Sequence, residues 1–177
     1  GAILQAVVSI GIAIGAVLAA QLVSLKDSLK VLPMGIVMGI LVSCSAYFNQ
    51  SMVPPGGIEV FGLLVTWSML IASIVLVTVG ICAGFFVVPM NALLQHRGYV
   101  LMSAGKSIAV QNFNENLSIL IMLGIYSLLI HFNLSAPATM VIFGIFVIVS
   151  MFLVILKHHL NQKEYDSTHL IGEEKRH

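Results

Sequence analysis

The sequence predicts an all-α protein, a polytopic membrane helix bundle of about five transmembrane helices, and two observations carry that reading. Apolar residues make up 59% of the chain and charged residues 8%, with a mean hydropathy of +1.05. A soluble domain of 177 residues cannot hide so much hydrocarbon in one core. The apolar residues also gather into stretches near the roughly 20 residues needed to cross a hydrocarbon slab about 30 Å thick, separated by short polar links. The formal net charge is +1. Its Lys and Arg residues are scattered at span ends and in the tail, so no basic face is offered to nucleic acid.

The first span covers residues 1–23 and starts at once from Gly1. It has no basic leader and no small-residue cleavage site, so it reads as a membrane helix rather than a signal peptide, and the chain is expected to be truncated upstream. Gly11, Gly15 and Ala19 recur every four residues and form a flat ridge for a neighbouring helix. A link at 24–30 carries Lys26 and Lys30. The second span runs from Leu32 to about Phe48, with Pro33 in its first turn, where a missing N–H is tolerated. Residues 49–57, with Pro54-Pro55-Gly56-Gly57, form a loop without basic residues.

Residues 58–95 are too many for one ordinary span, and charge decides between one crossing and two. With one crossing, Lys26, Lys30, Arg97, Lys106, Lys157, Lys163, Lys175 and Arg176 all fall on one side, as the positive-inside rule requires. Residues 58–65 are therefore read as an outer interfacial or helix-extending segment, Trp67 as an interface anchor, and about 69–95 as the third span. Pro89 is expected to kink that span, and Gly80 and Gly84 to admit a close neighbour. The fifth span covers about 139–156 and is apolar all round, which suits a lipid-facing position. The bundle is thus expected over residues 1–157, with a polar cytoplasmic tail at 158–177.

The fourth span carries the chemistry. Residues 103–129 are long enough to cross a bilayer, yet Gln111-Asn112-Phe113-Asn114-Glu115-Asn116 interrupts them near their start. At 3.6 residues per turn Ala104, Ser107, Gln111, Asn114/Glu115, Ser118 and Met122 share one stripe. Amides in membrane bundles commonly join helices by hydrogen bonds, which is one reading of Gln111, Asn112 and Asn116. A carboxylate in the bilayer asks for more, and Glu115 marks a substrate or ion pathway by default and is expected to be buried. Asn91 joins this substrate-binding set, although with Gln95 it also reads as a helix end returning to water. Lys106 lies about 13 Å from Glu115 along the helix axis. It is read as a snorkelling anchor in preference to a phosphate contact on the cytoplasmic side.

Other chemistries find no support. Cys44 and Cys82 both fall inside spans, where small buried thiols are ordinary, and no spacing suggests a disulfide or a metal site. His158-His159 lacks matching ligands and reads as a solvated pair. There is no catalytic triad, paired-carboxylate or H-E-x-x-H arrangement in the spans and no Gly-rich phosphate loop, so neither an enzyme activity nor a cofactor is expected.

Residues 83–98, AGFFVVPMNALLQHRG, together with SAGKSIAVQNFNEN and MLGIYSLL, resemble the bacterial lysophospholipid transporters of the major facilitator superfamily. The likeness is strongest over residues 83–128, weaker over the first two spans, and absent from 52–65 and the tail. It implies that the five spans are the last five of a twelve-helix fold, with a six-helix N-terminal half and one further helix missing. It also implies inward flipping of lysophosphatidylethanolamine and related lipids across the bacterial inner membrane, for reacylation by a membrane-associated acyltransferase/acyl carrier protein synthetase. Glu115 suits the headgroup ammonium of such a lipid, and Gln111, Asn112 and Asn116 suit its phosphate or glycerol. The chain departs from the family at His96, where members carry an acidic residue. It departs again at Asn114, where they carry Gly, which adds bulk and polarity beside Glu115. The 24–30 link also lacks the Gly-x-x-x-Asp-Arg pattern common in the superfamily.

Two other readings stay open: a drug or metabolite exporter of the same superfamily, and a non-transporting membrane scaffold for the acyltransferase. The one-sided charge predicts an outside N-terminus and a cytoplasmic tail. A cysteine placed at Gly56, in a background lacking Cys44 and Cys82, is then labelled by an impermeant maleimide only from the outer side. Labelling from the cytoplasmic side alone would reverse this topology.

Overall fold

The computed structural model describes residues 2–48, 53, 54, 56–60, 63–101 and 103–164. Residues 49–52 and Pro55 of the predicted loop, and the tail from 165 with Lys175 and Arg176, lie outside the described residues. Among the described residues five helices are long and apolar enough to cross a membrane, in agreement with the all-α reading. They are α1 (Ala2–Leu22), α2 (Leu32–Ser45, preceded by a 3-10 helix over Leu25–Val31), α3 (Trp67–Leu101), α4 (Ala104–His131) and α5 (Ala136–Glu164).

Two glycine seams hold the bundle together. Gly11 and Gly15 of α1 lie against Gly80 and Gly84 of α3, backbone to backbone. A methyl group on any of the four would run into a carbonyl oxygen of the facing helix: Val77 for Gly11, Ile81 for Gly15, Val8 for Gly80 and Ile12 for Gly84. Residue numbers rise together across this contact, so α1 and α3 run parallel. The second seam joins α2 to α5. A methyl group at Gly39 would sit 2.7 Å from Ile148 Cγ1 and 2.8 Å from the Gly144 carbonyl oxygen, while Gly35 faces Met151. Here the numbers run in opposite senses, so α2 and α5 are antiparallel. Lipid is as apolar as leucine and gives no hydrophobic drive between helices, so such close backbone approach is what association depends on.

These directions place the basic residues. The α1–α2 link, the end of α3, the start of α4 and the end of α5 share one end of the bundle, and with them go Lys26, Lys30, Arg97, Lys106, Lys157 and Lys163. At that end the 3-10 helix docks on α3, burying Ser28 and Val31, with Leu32 and Leu93 in the same small core. Ser24 Oγ donates to Asp27 Oδ2 at 2.8 Å and Lys30 Nζ lies 2.7 Å from Asp27 Oδ1, so the link is ordered by its own side chains.

The opposite end corrects one of the two readings of residues 58–65, the helix-extending one, over the residues described there. They do not extend a helix: β1 (Gly57–Val60) and β2 (Leu63–Thr66) pair antiparallel, Ile58 opposite Val65 and Glu59 opposite Leu64. Ile58, Val60, Val65 and Thr66 are β-branched, and a segment this short forms strands more readily than helix. Gly56, at φ +136°, turns the chain so that its carbonyl accepts the Trp67 N–H at 3.2 Å, tying the hairpin to the first residue of α3. At 35 residues α3 starts earlier and ends later than expected. Its length is about 52 Å, more than a bilayer core requires. Pro89 sits buried within this continuous helix.

The α4–α5 turn is a Schellman motif. Asn133 adopts φ 55°, its N–H bonds to Ile130 O at 2.8 Å, and Leu134 N bonds to Leu129 O at 3.1 Å. Ser135 Oγ then accepts from Ala138 N at 3.4 Å as the cap of α5. That helix continues through His158 and His159 to Glu164, beyond the predicted boundary of its span.

The α1–α3 seam leads to a stability prediction. Gly84→Leu should destabilise the protein by about 1–3 kcal/mol through overpacking. Gly124→Leu, at a position with nothing within 4 Å of an added Cβ, should be close to neutral. Thermal unfolding in detergent compares the two, and equal shifts would show that the seam carries no special weight.

Candidate functional site

The fourth helix is the exception in this bundle. A methyl group added at Gly105 or Gly124 would meet nothing within 4 Å, and α4 touches the rest of the chain chiefly through α3 at the basic end. There Ser107, 7% exposed, fits against Gly98; any side chain at Gly98 would overlap the serine hydroxyl. One turn along, Gln111 Nε2 donates to Asn91 Oδ1 at 3.1 Å. Gln111 Oε1 is shielded from solvent and has no hydrogen-bond partner among the described residues. A cavity of about 210 Å³ lies beside this pair, with Leu94, Arg97, Gly98, Ser107, Gln111 and Asn114 in its wall.

Two of the predicted binding residues are thus brought together, 20 positions apart in sequence: Gln111 and Asn91. Asn91 is not at a helix end returning to water; α3 runs on past it to Leu101. The other three are not gathered around them. Asn112, Glu115 and Asn116 are exposed on α4. The expected burial of Glu115 is therefore not found among the described residues. Asn116 Nδ2 donates back to Asn112 O at 2.8 Å, and Ser118 Oγ to Asn114 O at 2.8 Å, so part of the polar run is spent on its own helix.

Lys106 is exposed near the start of α4. Gly80 and Gly84 lie at the α1 crossing, on the part of α3 nearer the hairpin, and Pro89 lies between that crossing and the Asn91 contact. Sequence reasoning treated Arg97 only as a topology marker and passed over Gly98 as a site residue. The signal was available: Asn91, Leu94 and Gly98 share one face of α3 at helical spacing.

In polarity the arrangement has two parts. A partly buried amide pair with an unused carbonyl acceptor adjoins a guanidinium-bearing cavity at the basic end. Beside it, an exposed amide and carboxylate face stands within the apolar length of a membrane helix. Together they offer hydrogen-bond donors, acceptors and one negative charge to a polar group inside the bilayer region.

Comparison with known proteins gives a consistent relation. Lysophospholipid transporters LplT from Yersinia pestis (strain Pestoides F) and Yersinia pseudotuberculosis serotype O:3 (strain YPIII) are each 42% identical to this chain over 139 residues, 78% of its length. The chain spans about 29% of the length of these curated relatives. No family model matches the chain, and no solved structure matches it. The similarity to lysophospholipid transporters is the one its motif strings imply.

The Asn91–Gln111 bond should be measurable as a coupling. A double-mutant cycle with Asn91→Ala and Gln111→Ala, read by unfolding in mixed micelles, is expected to give about 0.6 kcal/mol, the average for such contacts in a membrane bundle. Strict additivity of the two substitutions would mean that the amides do not interact.

Proposed function

We propose that these five helices form a substrate-handling part of a lysophospholipid transporter, which moves lysophosphatidylethanolamine and related lipids inward across a bacterial inner membrane. The observation that carries this reading is the 42% identity over 139 residues to relatives named as lysophospholipid transporters. The polar face of α4 supports it, since an acidic and amide-rich patch within an apolar helix suits a zwitterionic headgroup in transit. In this reading the fold is of the major facilitator kind, and the lipid is delivered for reacylation by a membrane-associated acyltransferase/acyl carrier protein synthetase. The end bearing Lys26, Lys30, Arg97 and Lys106 is cytoplasmic, following the positive-inside rule.

The roles divide by chemistry. Glu115 pairs with the ammonium of the headgroup, while Asn112 and Asn116 hydrogen-bond the glycerol or phosphate. Gln111, held by Asn91, contributes its free carbonyl to a headgroup hydroxyl or amine. Lys106 anchors the start of α4 at the membrane surface. Gly80 and Gly84 keep α3 on α1, and Pro89, between that seam and the amide pair, is where α3 yields when the basic end opens.

Uptake of labelled lysolipid into vesicles containing the protein, against empty vesicles, tests the transport reading directly; equal uptake would refute it. Glu115→Gln then tests the site. It keeps the shape and removes the charge, so lysophosphatidylethanolamine uptake should fall more than tenfold, about 1.4 kcal/mol or more. Lysophosphatidylglycerol, which lacks the amine, should suffer less if Glu115 reads the ammonium. An equal loss for both lipids would make the carboxylate a proton carrier or gate, and no loss for either would remove it from the site.

A further inference from the structure

A second cavity lies at the far end of α4 from the basic residues. Its volume is about 490 Å³, and Val42, Tyr126, Ile130, Leu134, Met140 and Phe143 give it a largely hydrocarbon wall drawn from α2, α4 and α5. The rings of Tyr126 and Phe143, 6.5 Å apart, bridge α4 to α5 there. The buried hydroxyl of Thr139 in the same wall donates to Ser135 O at 3.2 Å and so presents no unmet polar demand.

This cavity and the polar patch are collinear. At 3.6 residues per turn Asn112, Glu115, Ile119, Tyr126 and Ile130 fall within about 60° of arc on one face of α4. Glu115 is about 16 Å along the axis from Tyr126 and about 22 Å from Ile130. Half of a hydrocarbon core about 30 Å thick, the depth of one acyl chain, is about 15 Å. Between the two ends the face carries Ile119 and Leu123, both apolar and exposed.

We propose that this cavity is the acyl-chain site of a single-chain lipid whose headgroup lies at Asn112 and Glu115. The lipid then lies along α4, its methyl end in the cavity walled by Tyr126, Ile130, Met140 and Phe143. The inference rests on the lysophospholipid reading above and adds where the chain goes and which end of the bundle it points to. The carboxylate of Glu115 at one end and the hydrocarbon wall at the other match a lipid with an ammonium-bearing headgroup and one tail.

Photolabelling of the full chain in nanodiscs tests it with two C16 lysophosphatidylethanolamines, one with a diazirine at the chain terminus and one with a diazirine beside the ester. The terminal probe should mark Tyr126, Ile130, Met140 or Phe143, and the ester-proximal probe the stretch 112–119. Excess unlabelled lysophosphatidylethanolamine should suppress both, and diacyl phosphatidylethanolamine should not. Ile130→Trp and Met140→Trp, which fill the cavity from its rim, should each cut terminal labelling at least fivefold. Labelling by the ester-proximal probe should persist in both variants, showing that they are folded. Saturable terminal labelling elsewhere would overturn the acyl site while leaving the lysophospholipid reading in place. Equal competition by the diacyl lipid would make the cavity a general lipid site and overturn it as well. Absence of any saturable labelling would overturn both readings.

Discussion

Helices surrounded by lipid gain nothing from hiding leucine, and the rest of this structure depends on that constraint. What joins α1 to α3 is the absence of side chains at Gly11, Gly15, Gly80 and Gly84, which lets backbones meet and dispersion act over many atoms. Gly39 and Gly144 do the same for α2 and α5, Gly35 makes room for the Met151 side chain, and Ser43 Oγ, bonded to Gly39 O at 2.9 Å, fits into the seam without leaving a polar atom unmet. Two firm helix pairs result, and the short 3-10 helix ties them together at the basic end.

Against that frame α4 is weakly held. Among the described residues it has no run of glycines against a neighbour, and its contacts with α3 include a serine seated on Gly98 and an amide–amide bond. A bond of that type is worth a fraction of what a glycine seam contributes through packing. An element with few buried contacts is the part of a structure able to shift at low cost. In the proposed transporter, the helix that carries the polar patch is thus also the helix best able to move, while the glycine-paired helices stay fixed.

The polar and apolar features of α4 make sense as parts of one surface. Asn112 and Glu115 occupy the same face as Tyr126 and Ile130, so the helix offers an amphiphile a polar end and a hydrocarbon end at a separation close to one acyl chain. A small soluble metabolite has no use for the second half of that surface. In the proposed transporter, that surface favours lipid over soluble cargo.

Composition, charge and spacing alone predicted five spans, a single crossing over about residues 69–95, one-sided basic residues, and small-residue ridges in the first and third spans at which some neighbour could pack closely; that these two ridges face each other was decided by the tertiary structure. The predicted features are written locally, as hydropathy over about 20 residues and as small residues repeated every four. The carboxylate in the fourth span was equally legible, because ionisable residues in such a context stand out. The partners were not. Asn91 looked like a helix end until α4 supplied Gln111. Residues 58–65 read as an outer interfacial or helix-extending segment until strand pairing was seen in them, and Glu115, expected to be buried, is exposed among the described residues. In a soluble protein, hydrophobic periodicity marks the face that packs. In a membrane helix lipid and protein accept the same side chains, so only the tertiary structure decided which faces meet, and which polar groups are left for a ligand.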